Sequence, residues 1–408
     1  MTGTTGTDQH GGTGRRRRHR LLALLVAGSW WPARSPPPMR RRRRAPARPP
    51  MVPPSSFGPY KVGREVIQIT SRTGRSRTVD VWYPVSPRTT GGLSLYVGPS
   101  FTHMAYVSRA LDRVPVAKGR PFPLVVYSHG SGAMRFIATF FTETLASHGF
   151  VVISADHTGD TISDLFAGRP STPDELPQVL ASRAADERMI LSGILTRSAT
   201  RGDLLEGAVD PHRIGIAGHS YGGLTAFATV SGVRVDGPNA IPRDVRFKAI
   251  VTMDATSTYL SADDLARVKV PTLSIVGEDV PPGAASFWYQ TRARPFAELR
   301  IDRAAHSAFS DVCRYRDLLP LFPDAPPVVT SYITSQAEAA CDPPHLGPRQ
   351  VQLLTDRYAI AFLLRHLAGD TRYAGYLKTR HGDGFDLTYP DPTVAPPPDT
   401  VPLPPVID

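Results

Sequence analysis

The 408-residue sequence contains only two cysteines, Cys313 and Cys341, and neither belongs to a Cys-x-x-Cys pair. It also has no histidine-rich cluster with the spacing of metal ligands, so the sequence does not predict a metal site. The spacing of the two cysteines is compatible with a disulfide, which would favour an oxidising compartment. Two unrelated buried thiols are the alternative, and the spacing alone does not choose between them.

The central part of the chain has no excess charge of either sign. The sequence carries 47 Lys and Arg against 36 Asp and Glu, but 12 of the arginines and only one acid lie in residues 1–50. Residues 51–408 therefore hold 35 basic and 35 acidic residues. A folded nucleic-acid-binding domain is expected to carry a basic face. We therefore expect no nucleic-acid partner and assign the positive charge to an N-terminal leader.

The apolar run in that leader is too short to cross a membrane. Arginines precede an 11-residue apolar run from Leu21 to Trp31, which resembles a secretory signal. Small residues at the spacing of a cleavage site are scarce. The sequence predicts a secreted or cell-envelope protein, and the alternative is a cytoplasmic protein that starts at Met39 or Met51.

The chain divides into three parts. A Pro-rich stretch begins at about Tyr389, so we predict a basic, Pro-rich leader over 1–50, one folded body over 51–388 and a Pro-rich tail over 389–408. The body begins with two alternating stretches, EVIQIT and RTVDVWYPV, which predict an antiparallel hairpin. Residues 85–122 are predicted to be a long loop with a short helix at AYVSRALDRV, and loops of this length are usually functional or inserted.

After residue 122, apolar strands alternate with helices. Runs such as FPLVVYS, FVVISA, RIGIAG, FKAIVTM and PTLSIV are typical of strands that are buried on both faces. Segments with the apolar spacing of helices separate these runs. The sequence therefore predicts the α/β class, with a mostly parallel central sheet, helices on both faces and the N-terminal hairpin as an antiparallel edge.

One motif points to chemistry. Gly218, Ser220 and Gly222 spell G-x-S-x-G between a predicted strand and a predicted helix, the setting in which a serine nucleophile occurs. A serine hydroxyl needs a base, and His306, just past the last predicted strand, is the best placed histidine. The base needs a carboxylate behind it. Asp254 and Asp279 both follow strand ends between the serine and the histidine, and the pattern leaves both open.

The oxyanion formed in such a reaction needs backbone donors. We predict the N–H of Tyr221, at the start of the helix, and the N–H of Ser131, in the SHGSG stretch after the first parallel strand. Acyl transfer by these groups requires neither a metal nor an organic cofactor.

These stretches, together with GPYKVG, VDVWYP, LASHGFVVISADH and AAHSAFSD, resemble the α/β-hydrolases. More narrowly, the chain resembles the plasma and type II intracellular platelet-activating-factor acetylhydrolases and their bacterial relatives, in the same order from about residue 58 to 311. The resemblance implies Ser220 as nucleophile, His306 as base and Asp254 as acid. Polyester-hydrolysing cutinases place the acid after the next strand, which keeps Asp279 open.

The implied activity is hydrolysis of carboxylic esters through an acyl-enzyme, on lipid or short-acyl esters such as 1-alkyl-2-acetylglycerophosphocholine. The alternatives are a cutinase-like polyester hydrolase, an acyltransferase on the same scaffold, and a binding module without catalysis. The expected partner is a small-molecule or lipid ester, with transient contact to a lipid surface. The residues do not indicate an oligomeric state, and the segment from Arg314 to Gly347 departs from the mammalian enzymes.

Overall fold

The structure, a computed structural model, describes most of the body. The described residues are 49–97, 105–119, 121–234, 237, 239–255, 259–278, 290–323, 325–382 and 384–390. The leader before residue 49, the tail after residue 390 and Asp279 lie outside these ranges, so the predictions made for them stay predictions. Within the same ranges, no helix combines the length and the hydropathy of a membrane span.

The described strands form one mixed sheet of twelve strands. In chain order they are β1 (Lys61–Thr70), β2 (Ser76–Val85), β3 (Leu93–Val97), β4 (Ala105–Asp112), β5 (Phe122–Ser128), β6 (Val151–Ala155), β7 (Val209–His219), β8 (Phe247–Met253), β9 (Thr272–Val276), β10 (Phe296–Ile301), β11 (Arg380–Gly382) and β12 (Phe385–Thr388). Their order across the sheet is β11-β12-β10-β9-β8-β7-β5-β6-β2-β1-β4-β3. The six strands from β10 to β6 in this order run parallel.

Helices cover both faces of the parallel strands. In chain order they are α1 (Thr139–Ser147), α2 (Ile162–Phe166), α3 (Leu176–Ala199), α4 (Tyr221–Ser231), α5 (Ala262–Leu265), α6 (Val312–Leu318), α7 (Pro327–Glu338) and α8 (Pro348–His366). Helices α1 and α8 share one apolar cluster with the sheet, and α3 and α4 share another on the opposite face. The predicted α/β architecture is confirmed.

Strand β5 shows why the predicted runs are apolar throughout. Val125 and Tyr127 belong to the cluster that contains α1 and α8, whereas Leu124 and Val126 belong to the cluster that contains α3 and α4. All four side chains are fully buried. Successive side chains in a strand point to opposite faces, so a strand covered on both faces has no position that favours a polar residue.

The predicted N-terminal hairpin is present, but it is not the edge of the sheet. Strands β1 and β2 pair antiparallel from Lys61 opposite Val85 to Thr70 opposite Ser76. Strand β4 then pairs in parallel with β1, and β3 pairs antiparallel with β4. The edge is therefore β3. At the opposite side a second hairpin, β11 and β12, pairs with β10 and was not predicted from the sequence.

The prediction of a helix at AYVSRALDRV is wrong, because this segment forms β4. Tyr106, Ser108 and Ala110 are buried, whereas Val107 and Arg109 are exposed, which is the two-residue alternation of a strand. Pairing with both β1 and β3 and burial of the Tyr106 ring outweigh the helical preference of its Ala, Arg and Leu residues.

Cys313 and Cys341 form a disulfide. Cys313 lies in α6 and Cys341 follows the end of α7, so the bond ties the two helices of this segment together. Of the two alternatives that the sequence left open, the structure contains the bonded pair.

Candidate active site

Ser220 occupies a sharp turn between β7 and α4. Its φ of 54° and ψ of −127° are a conformation that a non-glycine residue adopts only under strain. The turn brings backbone segments close together. A methyl group on Gly218 would lie 2.3 Å from the carbonyl oxygen of Gly222, and one on Gly222 would lie 2.1 Å from the carbonyl oxygen of Ser128. The two glycines of the motif are therefore required by close backbone contacts.

Asp254 and His306 meet beside this turn. Asp254 directly follows β8, and His306 begins a single 3-10 turn after β10. The Nδ1 atom of His306 lies 2.5 Å from Oδ2 of Asp254, whose other oxygen accepts a hydrogen bond from the N–H of Gly277 at 2.7 Å. Burial raises the pKa of Asp254, but the contacts with His306 and Gly277 outweigh burial and hold it below its ordinary value. The geometry thus pairs His306 with an ionised Asp254.

His219, the residue before the serine, has a role that the sequence analysis missed. Its Nε2–H donates a 2.9 Å hydrogen bond to the backbone carbonyl of His306, and the two rings are 4.7 Å apart. Burial, followed by the neighbouring His306, lowers the pKa of His219 to about 3. A neutral His219 therefore fixes the backbone of His306. The position of His219 inside the motif carried no signal for this contact.

The predicted oxyanion donors belong to two segments near Ser220. Tyr221 begins α4, so its N–H is among the first four of the helix, which have no acceptor inside the helix. Ser131 follows β5 in the loop formed by residues 129–132, and strands β5 and β7 are parallel neighbours. Within that loop, Gly132 has a φ of 64°. The structure thus brings the two predicted donor segments to the same edge of the sheet.

A cavity of about 250 Å³ contains Ser131, Ser220 and His306 in its lining. Most of its remaining wall comes from β3, β4, α6, α7 and the segment before α1, and these residues are mainly aromatic and aliphatic: Tyr96, Tyr106, Phe136, Ile137, Tyr315, Tyr332 and Ile333. Among the described residues that line it, none is Asp, Glu, Lys or Arg. The cavity therefore suits a neutral, apolar group held against Ser220.

Ser131, Ser220 and His306 of the sequence-predicted site line this cavity, whereas Asp254 and Tyr221 adjoin these residues without lining it. Asp279, the second candidate acid, lies outside the described residues, so its prediction as the acid stays a prediction. His157, another histidine at a strand end, is buried away from the cavity and bonds to Asp186. No three His, Cys, Asp or Glu side chains of the described ranges are arranged to hold a metal ion.

The parallel sheet, the strained serine turn and the histidine-aspartate pair define an α/β-hydrolase. A solved structure of a ferulic acid esterase from Streptomyces cinnamoneus has the same fold, with a TM-score of 0.58 and 23% identity over 76% of this chain and 91% of that chain. Residues 50–175 match the sequence profile of platelet-activating factor acetylhydrolase, isoform II. The chain is thus an α/β-hydrolase that resembles the platelet-activating-factor acetylhydrolases.

Individual relatives are similar at a modest level. A platelet-activating factor acetylhydrolase of Cavia porcellus is 25% identical over 40% of this chain and 42% of its own length. A probable 1-alkyl-2-acetylglycerophosphocholine esterase of Arthroderma benhamiae is 26% identical over 51% of this chain and 62% of its own length. The matches therefore span about two fifths of the first relative and less than two thirds of the second.

The close contact at Gly222 has a testable consequence. We expect Gly222→Ala to lower the free energy of unfolding by about 1–3 kcal/mol, because the added methyl group overlaps the backbone of β5. Helix propensity alone would give the opposite sign. The matched control is Gly375→Ala, since Gly375 also lies in a helical turn but has no atom within 4 Å of a new methyl group. Urea unfolding measures both variants, and equal stabilities would contradict the contact.

Proposed function

We propose that the chain is a serine carboxylic ester hydrolase that transfers an acyl group to water in two steps. One observation carries the proposal: the 2.5 Å contact between His306 Nδ1 and Asp254 Oδ2, with His306 and Ser220 lining one cavity. A base held by a carboxylate next to a serine on a strained turn is the arrangement that activates a hydroxyl. The resemblance to acetylhydrolases and an esterase supports the same chemistry.

In the first step the Ser220 oxygen attacks the ester carbonyl carbon while His306 Nε2 accepts the hydroxyl proton. The carbonyl oxygen becomes an oxyanion, which the N–H groups of Ser131 and Tyr221 stabilise by about 3 kcal/mol each. Asp254 keeps the Nδ1 proton in place and stabilises the imidazolium. The tetrahedral intermediate then breaks its bond to the alcohol oxygen, which takes the proton from His306.

In the second step water repeats the sequence on the acyl-enzyme. His306 removes a proton from the water as its oxygen attacks the acyl carbon. The intermediate then releases Ser220, which regains its proton from His306, and the carboxylic acid leaves. The cycle consumes one ester and one water and restores the starting protonation state, so the proposed chemistry needs no further reactant.

The cavity supports a short or compact acyl group. Its volume of about 250 Å³ lies below the roughly 300–1,000 Å³ of most drug-sized ligand pockets. The described lining is mainly apolar and contains no Asp, Glu, Lys or Arg, so a long chain or a charged headgroup would have to lie outside it. We therefore propose small-molecule or lipid esters with short acyl groups as substrates. This agrees with the acetyl esters named for two of the relatives.

The first test is labelling of the serine. We expect a fluorophosphonate to label the purified protein at Ser220 and p-nitrophenyl acetate to be hydrolysed faster than the palmitate ester. Ser220→Ala should abolish the label and lower kcat by about 10⁴-fold or more, because the nucleophile is lost. Mass spectrometry locates the label, and a folded wild-type protein that takes none would refute the proposal.

The second test identifies the acid. Asp254→Asn should lower kcat by about 10⁴-fold, because the amide no longer holds the correct tautomer of His306 or stabilises its cation. Asp279→Asn serves as the comparison, and we expect it to change kcat less than 10-fold. Steady-state kinetics on one ester compares the two variants. The reverse ranking would transfer the role to Asp279.

We also propose that the protein is exported. The arginine-flanked apolar run in the leader and the Cys313–Cys341 disulfide both support an oxidising destination. Protein recovered from outside the cytoplasm should lack the leader by N-terminal sequencing and carry the bonded cysteines by mass spectrometry. A chain that stays in the cytoplasm and begins at Met39 or Met51, with free thiols, would overturn this proposal.

A further inference from the structure

A buried ion pair lies behind the loop that carries Ser131. Asp160 follows β6 and Arg183 lies in α3, and the two residues are 5% and 1% exposed. Arg183 Nη1 is 2.5 Å from one Asp160 oxygen. The other oxygen accepts a 2.5 Å hydrogen bond from the hydroxyl of Ser131 and a 3.4 Å bond from the N–H of Gly132. Asp160 thus connects the loop to α3.

The second terminal nitrogen of the Arg183 guanidinium contacts the other end of the loop. This nitrogen, Nη2, donates to the backbone carbonyl of His129, and it lies 3.3 Å from the hydroxyl of Ser128. The guanidinium carbon is also 5.3 Å from the centre of the Tyr221 ring. One buried cation therefore contacts the segment of one proposed oxyanion donor and the side chain of the residue that supplies the other.

The loop needs such an external support. It contains two glycines, which adopt many backbone conformations at little cost, and its Ser131 is exposed. An oxyanion donor, by contrast, must point at the developing charge within a few tenths of an ångström to be effective. The backbone bond from Ile162 to Ala133 at 2.9 Å fixes only the far end of the loop.

We propose that Arg183 and Asp160 form a positioning pair that fixes the Ser131 N–H, and through Tyr221 the start of α4, for oxyanion binding. This inference rests on the proposed ester hydrolysis. Neither residue lines the cavity, so both act through their contacts with the loop and with the Tyr221 ring. A buried ion pair contributes little net stability relative to apolar residues of the same size, because both charges are desolvated. Its expected effect here is on geometry.

The experiment compares Asp160→Asn with Asp264→Asn. Asp264 is a matched control, since it is also buried, bonds to an arginine and accepts from a hydroxyl and a backbone N–H, but it caps α5 away from the cavity. For Asp160→Asn we expect kcat to fall about 10- to 100-fold with KM within about 3-fold, less than the loss of a whole donor. Affinity for a trifluoromethyl ketone, which forms an oxyanion on Ser220, should fall in parallel. Asp264→Asn should keep kcat within about 2-fold.

Amide hydrogen exchange supplies a readout that does not depend on activity. Peptides covering residues 129–133 should exchange faster in Asp160→Asn than in the wild type or in Asp264→Asn. Unchanged exchange there, or equal kcat in the two folded Asn variants, would overturn the inference. If Asp160→Asn does not fold, Ser131→Ala removes the tethered hydroxyl and keeps the backbone N–H, and a kcat equal to the wild type would overturn it. A wild-type protein inactive on every ester would instead refute the proposed function.

Discussion

The first turn of α4 lies so close to the end of β5 that a methyl group on Gly222 would come within 2.1 Å of the Ser128 carbonyl oxygen. This contact sets the angle at which β7 turns into α4, and it leaves Ser220 at a φ of 54°. It also brings the start of α4 beside the loop after β5. Both proposed oxyanion donors then lie next to the serine. The geometry of the proposed reaction thus depends on a backbone approach that only glycine permits.

The proposed base, His306, has a neutral histidine as its neighbour. His219 stays neutral because burial and the neighbouring His306 lower its pKa to about 3. A second cation there would disfavour protonation of His306, which must carry a positive charge in each step of the proposed mechanism. Neutral His219 instead donates a hydrogen bond to the His306 backbone. The carboxylate of Asp254 then faces a single histidine whose position is fixed from two sides.

The strands and the serine turn could be predicted because their signals are local: apolar runs, a glycine pattern and the order of elements. The residues alone do not choose between Asp254 and Asp279, since both follow strand ends, and only the family resemblance favours Asp254. In the structure, a φ of 48° and the Gly277 N–H aim Asp254 at His306, and no local pattern encodes this. The segment of β4 was mistaken for a helix because its partners lie elsewhere in the chain. The Arg183–Asp160 pair could not be predicted for the same reason.

The cavity wall and the reacting residues come from different parts of the molecule. Tyr96 and Tyr106 belong to β3 and β4, at one edge of the sheet. Tyr315 belongs to α6, which the disulfide ties to the end of α7. These elements lie outside the parallel strands that place Ser220, Asp254 and His306, so their residues can change the accepted ester without moving the proposed catalytic groups. The acetylhydrolase match over residues 50–175 covers β3, β4 and the Ser131 loop but none of the three proposed catalytic residues. Family similarity and site geometry therefore reach the same chemistry from separate stretches of the chain.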